Sequence, residues 1–165
     1  MPERGCKGDR LHGDRLHGDR QHGGIDWDEL RSAADAAAHL AYAPYSGLRV
    51  GAAALCEDGR RVTGCNVENA SFGLTLCAEC SLVATLVSGG RSRLVALSVT
   101  AGDGRPVAPC GRCRQVLLEH GGPNLLLDGG PGEEPMALGD LLPRAFDGAE
   151  LRARRSGPAS QGPGQ

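Results

Sequence analysis

Two short stretches constrain this chain more than anything else in it. "TLCAECSLVA", Thr75 to Ala84, holds Cys77 and Cys80 with Glu79 between them, and "PCGRC", Pro109 to Cys113, holds Cys110 and Cys113. Two Cys-x-x-Cys pairs commonly close four thiolates on a structural zinc ion, and such a site does no chemistry. Any fold open to the chain has to bring the two stretches together. Cys77 opens a helical run that stops at Gly89-Gly90. Cys110 and Cys113 fall in the first turn of another run, with Pro109 ahead of it and Gly121-Gly122 behind. Free N–H groups and the macrodipole at a helix start favour thiolates. Cysteines three apart on a helical turn point the same way. Three thiolates from two helix starts can then meet at one zinc ion and leave a fourth position for water, as catalytic sites do. Glu79 separates that arrangement from a four-cysteine clasp. A carboxylate beside the metal, but not bound to it, can take a proton from water and deliver it.

The remaining sequence supplies the scaffold. A length of 165 residues with 40% hydrophobic and 23% charged suits one domain with its own core. A net charge of −2 with 3% aromatics argues against nucleic-acid partners and against a base-stacking platform. No apolar run is long enough for a bilayer, and the charged, glycine-rich N-terminus has no signal-peptide core. A cytoplasmic location is the default expectation. There, seven cysteines are ligands or small core residues rather than disulfides, with Cys56 and Cys65 on strand-like runs and Cys6 in a tail.

Residues Gly8–His22, "GDRLHGDRLHGDRQH", repeat with a period of five that fits neither helix nor strand. Residues 1–24 read as a disordered tail whose His12, His17 and His22 have no catalytic part. Residues 152–165 read as a second tail, which leaves 25–151 as the folded domain. It opens on a helix, capped by Asp26 with Glu29 and stapled by Ile25 and Leu30, that runs to about Tyr42 before Pro44. "LRVGAAALCE" and "RRVTGCNV" form a hairpin around Asp58-Gly59. "RLVALSVTA" is a buried strand, "NLLLD" a short one, and "LGDLLPRAF" a last short helix. Strand–helix–strand alternation implies parallel neighbours under covering helices, in a sheet of about five strands.

Cys-Ala-Glu followed by Pro-Cys-x-x-Cys is the three-cysteine form of the zinc nucleobase deaminase pattern. From "AYAPYSGLRVGAA" through "GCNVENASFGLTLCAE" to "PCGRCRQVLLEHGG" and "LLPRAF", the chain resembles the small homotetrameric cytidine deaminases of the zinc-dependent cytidine/deoxycytidylate deaminase family. The resemblance implies an α/β fold, a three-layer α/β/α sandwich on a mixed five-stranded sheet. It implies one Zn²⁺ per subunit on Cys77, Cys110 and Cys113, with Glu79 as proton shuttle. It puts Asn66 and Glu68 on the sugar hydroxyls and the backbone of Ala78 on the pyrimidine edge. An amide and a carboxylate two apart on an extended segment do share a face. It gives Phe146 and Phe72 to neighbouring sites and Leu48 to the wall beside the base, where the family often has Phe. It also implies a homotetramer with sites at subunit interfaces and a nucleoside substrate, with no membrane partner.

The activity so implied is hydrolytic deamination of cytidine and 2′-deoxycytidine, a pyrimidine salvage reaction. The alternatives are deamination of another aminopyrimidine nucleoside such as blasticidin S, and a non-catalytic four-cysteine zinc module. One departure stands out. Cys80 falls where much of the family has an arginine that offsets the charge of the thiolates. Arg112 or Arg114 is the expected substitute.

Overall fold

The computed structural model describes residues 24–156. The Gly8–His22 repeat with its histidines, Cys6 and the stretch after residue 156 lie outside the described residues. Helix α1 (Trp27–His39) starts as its sequence requires: the Glu29 amide donates to Asp26 Oδ1 at 2.9 Å. It stops at His39, earlier than the proline suggested, because the chain turns to pair with another segment. The Tyr42 amide donates to Asn66 O at 3.1 Å, and the Glu68 amide to Tyr42 O at 2.8 Å. Then follow β1 (Gly51–Cys56), β2 (Arg61–Cys65), a 3-10 turn (Phe72–Leu74), α2 (Ala78–Ser88), β3 (Leu94–Thr100) and α3 (Gly111–Gly121). Two-residue strands β4 (Leu126–Leu127) and β5 (Met136–Ala137) precede α4 (Leu138–Leu141) and α5 (Gly148–Ser156). The described helices include none long and apolar enough to cross a membrane.

The sheet order is β2-β1-β3-β4-β5. β1 pairs antiparallel with β2 and β3, β3 runs parallel to β4, and β4 pairs antiparallel with β5. The sheet is therefore mixed and five-stranded, as expected. Alternation along β1 divides the core. Ala53 faces α1 with Leu30, Ala34 and Ala96, whereas Ala52 and Ala54 face Leu82, Leu86, Leu97 and Leu117 of the α2–α3 side. Each buried leucine contributes about 1.5–3 kcal/mol. Helices thus cover both faces, and the three layers are α1, the sheet, and α2 with α3.

Two glycines set the layer spacing. A Cβ on Gly51 would stand 1.9 Å from Ala34 O, and one on Gly64 would stand 2.3 Å from Leu82 N and 2.6 Å from Ala78 O. The β2 backbone therefore lies directly against the start of α2. On the opposite face a buried ion pair ties α1 to the end of β4. Arg31 donates from Nε and Nη2 to Asp128, each at 2.9 Å, and Ser98 Oγ donates to the same carboxylate at 2.8 Å.

The C-terminal end differs from its sequence reading. The helix expected over "LGDLLPRAF" is one turn, α4, and α5 carries helical structure past Leu151 to Ser156. The Glu150 amide donates to Asp147 Oδ1 at 2.9 Å, the same cap that starts α1.

Candidate active site

The parallel step from β3 to β4 requires a crossover, and α3 makes it on the face that α2 already covers. The starts of the two helices meet there. Cys77 is the N-cap of α2 and Cys110 the N-cap of α3, with Cys113 in the first turn of α3. Their sulfurs lie within 4.8 Å of one another, and Cys110 Sγ is 3.6 Å from Cys113 Sγ. Cys113 is fully buried, Cys77 half-buried and Cys110 exposed. Burial pushes the Cys77 thiol up. It pushes Cys113 up further, helped by the charge of Glu79. The amides of Cys113 and then Arg112 at the start of α3 hold Cys110 below its ordinary value. The helix start thus favours the thiolate at the one exposed cysteine of the three.

A cavity of about 220 Å³ opens on this cluster. Asn66, Cys77, Ala78, Glu79, Cys110 and Cys113 are on its wall, together with Val50, Thr75, Leu76, Val99, Val107 and Ala108. Glu79 is only 5% exposed. A carboxylate held in the first turn of a helix, beside three sulfurs and against an apolar wall, can exchange protons with whatever enters. Ala78 is the first residue of α2, so its N–H has no intrahelical acceptor and is available to a ligand.

Asn66 is held by its own side chain. Its Oδ1 accepts from the Val50 amide at 2.8 Å, and its Nδ2 donates to Leu48 O at 3.0 Å. One amide hydrogen and one lone pair remain for a ligand. Paired bonds between Val67 and Leu76 hold this segment beside the start of α2. Glu68 lies off the cavity wall, in the loop after β2, and its carboxylate reaches across to the loop after α1. Its Oε2 accepts from the Tyr45 amide at 2.8 Å, and Oε1 accepts from the Ser46 hydroxyl. The hydroxyl and the Tyr45 amide hold its carboxyl below the usual range.

The three apolar recognition candidates are not on the cavity wall. Leu48, Phe72 and Phe146 are 57%, 77% and 54% exposed. Phe72 meets the Tyr45 ring edge to face at 6.4 Å, and Phe146 O accepts from Gln115 Nε2 at 2.8 Å. The valines and Ala108 on the wall were missed in the sequence. Val107 and Ala108 could have been found as the residues leading into Pro-Cys-x-x-Cys.

Among the described residues the converging donors are Cys77, Cys110 and Cys113, and Cys80 is not one of them. Arg112 is exposed, whereas Arg114 is half-buried and bound to two backbone carbonyls. Sulfurs on one tetrahedral zinc ion at about 2.3 Å sit roughly 3.8 Å apart. The observed spacing and the sulfur donor set therefore fit zinc, and all three cysteines are on the cavity wall.

Three convergent sulfur donors on a cavity wall, with a buried carboxylate beside them that is not one of the donors, fit a metal-dependent hydrolytic enzyme. Comparison with known proteins narrows the class. Residues 26–127 match the family model described as the cytidine and deoxycytidylate deaminase zinc-binding region, and the chain belongs to that family. It is 58% identical over 131 residues to a cytidine deaminase of Mycobacterium tuberculosis, covering 79% of this chain and 97% of that one. A cytidine deaminase of Halalkalibacterium halodurans is 43% identical over 114 residues, 67% of this chain and 86% of its own. The crystal structure of cytidine deaminase from Mycobacterium tuberculosis superposes with a TM-score of 0.72 at 60% identity, over 74% of this chain and 98% of that one.

Proposed function

We propose that the chain hydrolyses cytidine and 2′-deoxycytidine to uridine and 2′-deoxyuridine with release of ammonia. The observation that carries this reading is Glu79, buried in the cavity wall beside the convergent Cys77, Cys110 and Cys113. Zinc, held by those three residues, supplies the Lewis acidity that makes water nucleophilic near neutral pH. Glu79 takes the proton of the attacking water and places it on ring N3 as the bond to C4 forms. It then moves a proton to the amine as the C4–N4 bond breaks. Water is consumed, ammonia leaves, and no redox partner is needed. The Ala78 N–H orients the pyrimidine edge, and Val99 and Val107 keep bulk water from its face. Asn66 and Glu68 hold the sugar hydroxyls, with Glu68 already oriented by Ser46 and Tyr45.

A cytidine absorbance assay tests this reading. Turnover should be present in the zinc-loaded protein, vanish with a chelator and return with zinc. Zinc-loaded protein that leaves cytidine intact overturns it. A faster rate on blasticidin S than on cytidine would move the assignment to that nucleoside.

The same reading makes the protein a cytoplasmic homotetramer in pyrimidine salvage. Support for assembly comes from apolar side chains around the cavity. Leu76 on its wall is 44% exposed, and Leu74 and Phe72 just before it are 66% and 77% exposed. In a tetramer Phe72 and Phe146 would complete neighbouring sites. Light scattering should give about four times the chain mass.

A further inference from the structure

We propose that Arg114 is a positioning residue for the metal site, which fixes Cys110 by bridging the Pro109 carbonyl to the end of α4. The three sulfurs are not held alike. Cys113 is buried and Cys77 half-buried, but Cys110 is exposed, and its sulfur meets the Cys113 sulfur and the amides at the start of α3 rather than the core. Its backbone is held by hydrogen bonds from Arg114. The Arg114 amide donates to Cys110 O at 2.9 Å, and its Nε donates to Pro109 O at 2.8 Å. One residue thus grips two successive carbonyls on either side of the Cys110 nitrogen. The amide bond is ordinary helix geometry, available to any residue at that position. The side-chain bond is particular to this arginine.

The guanidinium has a second anchor. Its Nη1 donates to Leu141 O at 2.9 Å, at the end of α4, and α4 is rooted in the core by the fully buried Leu138. Gln115 donates to Phe146 O at 2.8 Å, so the segment that receives Arg114 is itself held to α3. The planar fork suits two carbonyls at once, whereas a lysine offers a single point of attachment. The same geometry brings a permanent cation next in sequence to Cys113, where three thiolates on a divalent zinc ion leave roughly one net negative charge. Arg112 has the charge but points into solvent, and it makes no such bridge. Position 80, the other place for a cation, holds cysteine.

This inference rests on the reading that Cys77, Cys110 and Cys113 hold the zinc. The experiment is zinc competition against a chromophoric chelator on full-length wild type, Cys110→Ala, Arg112→Gln, Arg114→Gln and Arg114→Lys. Cys110→Ala must lose zinc; if it retains zinc at wild-type affinity, the ligand reading itself fails. Given that loss, Arg114→Gln should bind zinc about 10–100-fold more weakly, as is typical when a partner behind the ligands is removed. Arg114→Lys should recover part of the loss but not all, and Arg112→Gln should match wild type. Wild-type affinity in either Arg114 variant overturns the bridge. Equal losses in Arg112→Gln and Arg114→Gln overturn it too, since charge alone would then account for both. If Arg114→Gln does not fold, Arg114→Lys still decides between these outcomes.

Discussion

The inner and outer halves of the site are built differently. The inner half is complete within one chain: two helix starts, three sulfurs and a buried carboxylate. The outer half is looser: Leu48, Phe72 and Phe146 are exposed and off the cavity wall, and Glu68 is bound to the loop after α1. Bond-making groups need placement to fractions of an ångström, and rigid helix ends on a packed sheet provide it. The proposed recognition groups sit outside the helices and strands of the sheet layers, where binding energy from the substrate can order them.

The sharpest way to break this contrast is at the metal. Cys113→Ala should lose zinc and reduce turnover to background, as read by metal analysis and cytidine absorbance. The acid dependence of zinc uptake has a definite sign. Cys77 and Cys113 hold their protons more tightly than free thiols, and zinc must displace those protons. Apparent affinity should therefore fall as pH falls, and an affinity flat between mildly acid and mildly alkaline pH would contradict it. Next in size is Glu79→Gln, which should keep zinc while kcat drops about 10²–10⁴-fold. Normal turnover in the zinc-loaded variant would remove the proton shuttle from the inner half.

The outer half should answer in KM rather than kcat. Phe146→Ala should raise KM a few-fold, in line with about 0.5–1.5 kcal/mol for an aromatic contact. A fall in kcat at constant KM would mean that the two halves are not separate. The smallest effect expected is at Glu68. Its carboxyl sits below the ordinary value of 4.5, so the stability it adds is present above that value. That stability is lost as pH falls through the depressed folded value. Urea midpoints of wild type and Glu68→Gln should differ slightly at neutral pH and converge in strong acid.

The inner half was also the legible half. Cys77, Glu79, Cys110 and Cys113 could be placed because Pro109 and paired glycines mark where their helices start and stop. The hairpin was readable from Asp58-Gly59, and α1 from Asp26 and Glu29. Strand β5 was invisible, since two residues carry no period. Helix α5 was passed over because its composition is polar, although Asp147 and Glu150 repeat the cap of Asp26 and Glu29 and Glu150 pairs with Arg154 one turn on. Between Arg112 and Arg114, spacing alone could not choose. The choice depends on the carbonyls of Pro109 and Leu141, and Leu141 is brought there only by the tertiary fold.

Gly64 carries a consequence for how damage to this enzyme would look. It bears no functional group, yet its missing side chain is what lets β2 lie against the first turns of α2, where Ala78 and Leu82 are backbone neighbours. A single methyl at this position would push on the turn that presents Cys77 and Glu79, like a shim slipped behind a bearing. Gly64→Ala would then be an inactivating change with every reactive atom still present. Screens for loss of function that follow only chemical groups would overlook it.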